Sequence, residues 1–543
     1  MPISEDVALL MRRTTFPDAR TAYVIAALAG LFALFAMRRA DPDLWGYLAY
    51  GRYFAELGHP TAVDVFSYTC RECTWIHFEW LAHVSLWVFY DAAGAAGLIA
   101  LKCVIGAICL GYVFSAVSMA AKTPAAWLPV YLLAIGIVPR YFLFRPQFYT
   151  FALLAVFVAA IWKHLSGPGR IWHLAPLTAV WANLHGGFLA GLGVIGLGML
   201  LSAVRDWSSA GRLSPRFSRS TLALAVLLVA AALSSLVNPL GWRLWTYLFT
   251  EITHDTNRQL IAEWMPLLQS RDAWSIATTL LLLTLLAVGG GVAQQRREAP
   301  LGIRPLWWLL SCVPLTLMAF ESVRHVPILT IWAAPVLAAF GRSLIDVAAG
   351  TLRQLVWRVV PSLMAVPAIL TAFLVAQNPR LEISLPPGVL GSTEPFGAVT
   401  YMKATGMQGN LFLPLWWGSY ATAQLFPHIL VSMDGRNVSL YPRDMVLENL
   451  LFFTSPEGDI DAPWQYSTDF LLVPRDAPVF SRVSADSRWR PQFEDDDAVL
   501  FARKEPNSRV TPHVSCRFAR PATFALTYAP YRLDELHCDV AAP

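Results

Sequence analysis

Charge is what this 543-residue chain has least of: Asp, Glu, Lys and Arg make up 14% of it, where a soluble globular domain carries about 25%. Set against 56% apolar residues, that scarcity excludes an ordinary soluble fold. The net charge of +4 is too small to imply a nucleic-acid partner, which calls for a dense basic surface. No glycine-rich phosphate loop is present, so no nucleotide site is expected. Internal repeats and low-complexity tracts are also missing.

Cysteine is sparse, seven in all. Cys103, Cys109 and Cys312 fall inside apolar runs and read as packing residues. Cys516 and Cys538 lie in the tail, where a disulfide between them is expected if that region faces an oxidising compartment. Cys70-Arg-Glu-Cys73 joins Phe66–Thr69 to Thr74–Phe78, which reads as a β-hairpin. A lone Cys-x-x-Cys is half a zinc site. Strand alternation turns Trp75, His77 and Glu79 to one side and Thr74, Ile76 and Phe78 to the other. A local disulfide, free thiols and a zinc site with His77, Glu79 and His83 all stay open.

What the chain has in quantity is long apolar runs. They occur at about 21–37, 95–119, 125–139, 147–162, 171–184, 187–204, 220–237, 273–294, 305–320, 325–341 and 355–376, each able to cross a hydrocarbon core of about 30 Å as a helix, although several are short. The expectation is an α-helical polytopic membrane protein of about 11 transmembrane helices. Arg12, Arg13 and Arg20 precede the first run as in a signal peptide, but Arg38 and Arg39 stand where small cleavage-site residues belong, so that run reads as an uncleaved anchor. The stretch Glu79–Ala92 is too short to span and reads as a helix lying at the interface. With it outside the count, Lys122, Lys163, Arg170, Arg205, Arg212, Arg296 and Arg342 all fall in cytoplasmic loops, as basic residues should. The C-terminal region then lies outside the cytoplasm.

After the first run comes Asp41-Pro-Asp-Leu-Trp45, with Leu44, Tyr47, Leu48, Phe54 and Leu57 at near-helical spacing and Gly58 and Pro60 as a stop signal. This reads as a second surface helix. Asp41 and Asp43 at its start are either caps or carboxylates placed for chemistry just above the lipid. The remaining ionisable groups cluster on the same outer side: His77 and Glu79, Arg140 and Arg145, His185, Arg324 and His325. Charges at membrane level are costly and mark functional sites. Several of them at one face imply a shared cavity.

From about Gln377 the composition turns polar. Leu411–Leu413, His428–Met433 and Phe470–Val473 read as strands and Arg443–Phe453 as a helix. The chain therefore divides into a transmembrane domain at 1–376, whose first outer loop is 38–94, and an extracytoplasmic α/β domain with a tail at 377–543.

Asp41-Pro-Asp-Leu-Trp45, Asp64-Val-Phe-Ser-Tyr68, His77-Phe-Glu-Trp-Leu81, Arg145-Pro-Gln147, Trp181-Ala-Asn-Leu-His185, Asn238-Pro-Leu-Gly-Trp242, Ala262-Glu-Trp264 and Asp434-Gly-Arg436 together carry a family likeness. The chain resembles the GT-C superfamily of membrane glycosyltransferases, of the protein-mannosyltransferase and aminoarabinose-transferase type, and is similar above all to uncharacterised bacterial members. The resemblance implies a multi-pass protein of the bacterial inner membrane that moves a sugar from a polyprenyl-phosphate carrier to a glycan, lipid or protein acceptor at the outer face. Such a transfer needs a carboxylate to take the acceptor proton, for which Asp43, then Asp41, is the expected catalytic residue. It needs cations for the departing lipid phosphate, for which Arg140, Arg145, Arg324 and His325 are the candidates, and His77, Glu79 and His185 are candidates for positioning the sugar. There are departures. The second acidic motif that relatives carry in the next outer loop is absent, since Arg140–Gln147 holds no Asp or Glu, and His77 stands where relatives place a lysine near the phosphate. A divalent cation is the one cofactor left open, and no metal ligands are assigned. Two other classes compete: a lipid or solute transporter, whose sites would lie at the membrane midplane, and a non-catalytic scaffold for envelope assembly.

Overall fold

Helix α1, Leu44–Leu57, places Leu44, Trp45, Leu48, Tyr50 and Phe54 on its buried side and ends at Gly58, whose φ of 80° is the left-handed position a helix-terminating glycine favours. The computed structural model describes residues 43–253 apart from 72, 123, 168 and 210–216, then 266–269, 276, 279–285, 306–347, 394–504, 514–518 and 536–540, together with Gly30, Leu34 and Ala40. The first apolar run, apart from Gly30 and Leu34, the last one, Asp41, Glu263 and the boundary near Gln377 lie outside the described residues.

α2, Trp80–Ala120, is two helices in one: Ala93 and Gly94 leave helical geometry, Gly94 at φ 57°. The break falls between the interfacial stretch and the span expected to begin near residue 95. α3 (Pro124–Ile137), α4 (Gln147–Ser166), α5 (Leu174–Leu184), α6 (Phe188–Ser209), α7 (Arg219–Ser234), α8 (Arg243–Thr253), α9 (Val313–Glu321) and α10 (Val326–Val347) follow. Among the described residues four helical stretches are long and apolar enough to cross a membrane: Trp80–Ala120, Gln147–Ser166, Phe188–Ser208 and Val323–Gly341. The chain is a multi-pass membrane protein. α2 packs on α4, and α10 packs on α2 and α3, while α5, α6 and α7 form an adjoining layer.

The C-terminal part begins with α11 (Phe396–Ala404), then β1 (Gly409–Phe412), α12 (Leu415–Leu425), β2 (Ile429–Val431), α13 (Arg443–Thr454), β3 (Phe470–Pro474), α14 (Phe480–Ala485), β4 (Trp489–Glu494), β5 (Ala498–Arg503), β6 (Val514–Phe518) and β7 (Leu536–Val540). The sheet runs β2-β1-β3-β5-β4-β6-β7. β1 pairs in parallel with β2 and β3, with α12 as the crossover between β1 and β2, and apart from Gly409 and Asn410 these strands are apolar, as parallel strands covered by helices are. Expected strands β1, β2 and β3 and helix α13 are found. The four later strands were not foreseen, because Trp489–Glu494 carries Arg490, Pro491 and Gln492 and breaks the alternation. Cys516 and Cys538 stand directly opposite each other in the β6–β7 ladder.

Two features join the parts. α1 is not a helix lying free at an interface: it is wedged between α2 and α12. Gly51 makes this possible, since a Cβ there would sit 2.1 Å from the His83 carbonyl oxygen. The first outer loop also adds itself to the sheet edge. Val431 N donates to Phe66 O at 3.2 Å and Tyr68 N to Val431 O at 3.1 Å. The hairpin expected around Cys70 and Cys73 does not form, because the Phe66–Thr69 segment bonds to β2 instead and Thr74 bridges back to Val63. Cys70 and Cys73 form a disulfide, which answers the choice among disulfide, thiols and zinc.

Candidate active site

Where α1, the first outer loop and the turn after β2 converge, they enclose a cavity of about 230 Å³. Asp43, Tyr47, Tyr50, Trp75, His77, Phe78, Glu79, His83, Tyr247, Ser419, Gly435 and Arg436 line it. Asp43 occupies the N-cap position of α1, yet its side chain caps nothing. Its carboxylate lies instead against Gly435, where a Cβ would come within 1.9 Å of Oδ1. Any side chain at 435 would displace it, so the Asp434-Gly-Arg436 turn fixes where this carboxylate sits.

Behind that turn is a buried ion network. Arg436 is 8% exposed. Its Nε and Nη2 donate to the two Asp434 oxygens, each at 2.8 Å, and Nη1 donates to Asp64 Oδ1 at 2.5 Å. The guanidinium lies over the Trp75 ring at 4.6 Å and the Tyr50 ring at 5.0 Å. Burial alone would lower the Arg436 pKa, but Asp434, with Tyr441, Tyr50 and Asp64, raises it well above its ordinary value. Asp64 also accepts from Phe66 N and Ser67 N. This network therefore fixes the outer loop to the C-terminal part.

The other side of the cavity is assembled differently. Glu79, 26% exposed, comes within 3.6 Å of His185 Nε2, too far for a hydrogen bond. His185 Nδ1 accepts from Gly187 N at 2.9 Å, which puts the imidazole proton on Nε2, facing Glu79. Burial pushes Glu79 up to about 8, with the nearby Arg324 pulling it down. Burial, then Arg324, lowers His185 to about 3. At neutral pH the pair is a protonated carboxyl and a neutral imidazole beside a cation. Trp80 Nε1 donates to Asn183 Oδ1 at 2.8 Å, and Asn238 Nδ2 donates to Ala182 O at 2.9 Å, so the Trp181–His185 and Asn238–Trp242 motifs brace this corner.

His77 and His83 form a third group. His83 Nδ1 and His77 Nε2 are 3.1 Å apart. Tyr47 stacks on His83 at 4.8 Å, and Trp75 lies 4.3 Å from His77. Burial, with the neighbouring His83 and Arg436, holds His77 well below its usual value.

Of the expected site residues, Asp43, His77 and Glu79 line one cavity, and His185 and Arg324 adjoin Glu79. His325 bonds through Nδ1 to Met318 O at 3.1 Å and does not line the cavity. Arg140 and Arg145 do not line it either. They stand on the segment joining α3 to α4, Arg140 within the short turn of helix at Val138–Tyr141. Arg436, Ser419 and Glu394 were missed, and His83 was weighed only as a zinc ligand. Arg436 stood only in the Asp434-Gly-Arg436 motif. Ser419 had no signal in the sequence. His83 follows Glu79 by four residues, a helical spacing that places both on one face. Glu394 belongs to no motif. Burial, then Asp43, pushes Glu394 up to about 8, and its Oε2 has no hydrogen-bond partner among the described residues. No group of three or more His, Cys, Asp or Glu suited to a metal ion occurs among the described residues.

The sequence matches no protein-family model, and no curated protein matches it. Solved structures do resemble it. The oligosaccharyltransferase AglB from the archaeon Archaeoglobus fulgidus, in complex with an inhibitory peptide and a dolichol-phosphate, aligns over 83% of this chain and 69% of its own, at 12% identity and a TM-score of 0.50. ArnT from Cupriavidus metallidurans aligns over 89% and 97% when bound to undecaprenyl phosphate, at 15% identity and a TM-score of 0.46. In the apo state it aligns over 92% and 98%, at 16% identity and a TM-score of 0.48. The chain resembles GT-C superfamily membrane glycosyltransferases in fold.

Proposed function

We propose that this chain is a polyprenyl-phosphate-sugar-dependent glycosyltransferase working at the outer face of a bacterial inner membrane, its C-terminal domain extracytoplasmic. The observation that carries this reading is the cavity, where Asp43 and Glu79 from the first outer loop meet the C-terminal turn. Asp43, fixed by Gly435, takes the proton of the acceptor hydroxyl. The oxygen then attacks the anomeric carbon from the face opposite the carrier. The bond from that carbon to phosphate oxygen breaks, and the phosphate leaves on the lipid with the electron pair. Arg324 stabilises the charge that develops there, with protonated Glu79 and the Nε2–H of His185 as neutral donors. Arg140, Arg145 and His325 belong to the path of the carrier toward the cavity rather than to the reacting centre.

The test is glycolipid and glycan profiling of a deletion strain. A sugar modification lost on deletion should return with the wild-type gene and not with Asp43→Asn. If Asp43→Asn and Glu79→Gln both restore it in full, the chain acts as a scaffold, a reading that the acid-free loop Arg140–Gln147 supports.

A further inference from the structure

His83 is 4% exposed, and its ring is held on three sides. Nδ1 is 3.1 Å from His77 Nε2, Tyr47 covers one face at an interplanar angle of 11°, and Tyr50 lies 5.9 Å away. That leaves Nε2. It is buried, has no hydrogen-bond partner among the described residues, and belongs to a side chain that lines the cavity. An unpaired buried polar atom costs about 1–3 kcal/mol, and native structures tolerate one where a ligand or ion completes it. The cavity supplies the place for such a ligand. Its aromatic walls, Trp75, Phe78 and Tyr247, offer ring faces, and at about 230 Å³ it falls below the roughly 300–1,000 Å³ of pockets for drug-sized ligands.

Charge narrows the ligand further. Arg436 brings one positive charge to the wall, but Asp64 and Asp434 bound to it bring two negative ones. Asp43 adds another carboxylate, and no lysine lines the space. On the side of Asp43 and the Arg436 network a ring carrying its own carboxylate would meet repulsion, since the further cation, Arg324, stands at the Glu79 corner, where the carrier phosphate is placed.

We propose that His83 Nε2 binds a ring hydroxyl of a non-anionic sugar seated in this cavity, making His83 a specificity-determining residue; the sugar's arrival on a polyprenyl carrier rests on the reading given above. A hydroxyl both donates and accepts. Either arrangement of the proton in the His77–His83 bond therefore leaves Nε2 able to pair with it, and the contact does not depend on charging either imidazole. Glu79, at the N-cap four residues before His83, lines the same space, so the start of one helix brings both groups to it.

The experiment uses the full chain in lipid nanodiscs, since glycoside detergents would compete. Histidine ring ¹⁵N shifts are followed while methyl glucoside, methyl mannoside, methyl xyloside or glucuronate is titrated in, with His83→Gln used for assignment. At least one neutral glycoside should move the His83 Nε2 resonance saturably. His83→Phe, which keeps a ring against Tyr47, should bind that glycoside about tenfold more weakly, the loss of one hydrogen bond to an otherwise unpaired group. Glucuronate should bind at least about tenfold more weakly than methyl glucoside. No saturable shift with any neutral glycoside, glucuronate binding as tightly as glucoside, or wild-type affinity in His83→Phe each overturns the proposal. If His83→Phe fails to fold, the wild-type Nε2 shift decides the question alone. Glycoside binding that depends on His83, without transfer from any polyprenyl-phosphate sugar, keeps the contact and removes the transferase reading. Transfer that needs Asp43 but is indifferent to His83 does the reverse.

Discussion

Two polar clusters border the same cavity and are built on opposite plans. In the first, Arg436 joins Asp434 and Asp64 through three short bonds and lies over Trp75 and Tyr50. In the second, Glu79 stops 3.6 Å short of His185 Nε2 and holds a proton that an exposed glutamate would have lost. The first cluster is complete before any substrate arrives. The second has capacity left over. Charges fully matched by protein specify a structure, whereas carboxyls and imidazoles with displaced proton affinities are suited to chemistry. The Arg436 network thus positions, and on the function proposed above the Glu79 corner, with Asp43, is the part assigned to the reaction.

Breaking the first cluster should have the largest effect. Arg436→Met removes the cation and leaves Asp64 and Asp434 buried and uncompensated, a loss of about 3–5 kcal/mol. The variant should accumulate poorly and lose its thermal transition in nanodiscs. Normal stability would mean that the network does not tie the outer loop to the sheet. Asp43→Asn should do the opposite. Asn keeps the size of the side chain that lies against Gly435, so the melting temperature should barely change while transfer falls about a hundredfold or more, the scale of a lost general base. A variant with near-normal transfer would move the role to Glu79 or Asp41.

A smaller effect separates the cations. Arg324 lies close enough to Glu79 and His185 to shift both, while Arg145 does not line the cavity. Arg324→Ala should weaken binding of undecaprenyl phosphate about tenfold, as the loss of one charge-assisted contact does. Arg145→Ala should weaken it less. The reverse order would place the phosphate beside the α3–α4 connection and not beside Glu79.

The sequence made one kind of group legible and hid another. Asp43, His77 and Glu79 could be read because each stands in a local pattern: an acid after an apolar run, alternation along an extended stretch, the start of a helix. Helices such as α4 and α6 were legible from apolar length alone, and β1, β2 and β3 from short apolar runs between turn residues. Arg436 and Ser419 were hidden because their role comes from contacts across more than 350 residues of chain, such as Arg436 with Asp64. The burial of α1 was hidden for a related reason. An amphipathic helix shows an apolar face whether lipid or protein covers it, and only α12, far along the chain, decides which. The hairpin misread around Cys70 has the same origin, since Phe66 pairs with Val431 rather than with its near neighbours.

The smallest effect tests the proton on Glu79 itself. Its carboxyl moves from an ordinary value of 4.5 to about 8 on folding, through burial first and against the pull of Arg324. Between those values the folded state keeps a proton that the unfolded chain has released. Stability must therefore fall as pH rises through that window, being fully present below about 4.5 and lost above about 8. Glu394 moves between the same two values, through burial and then Asp43, and adds a slope of the same sign. Gln keeps the shape of the neutral acid and cannot ionise. Glu79→Gln should thus flatten the decline of melting temperature from pH 5 to pH 8 without altering its level at pH 5, and the double variant Glu79→Gln/Glu394→Gln should flatten it further. Melting curves that run parallel to the wild type across this range would show that Glu79 is already ionised, and would leave the donor role on that side of the cavity to His185 and Arg324.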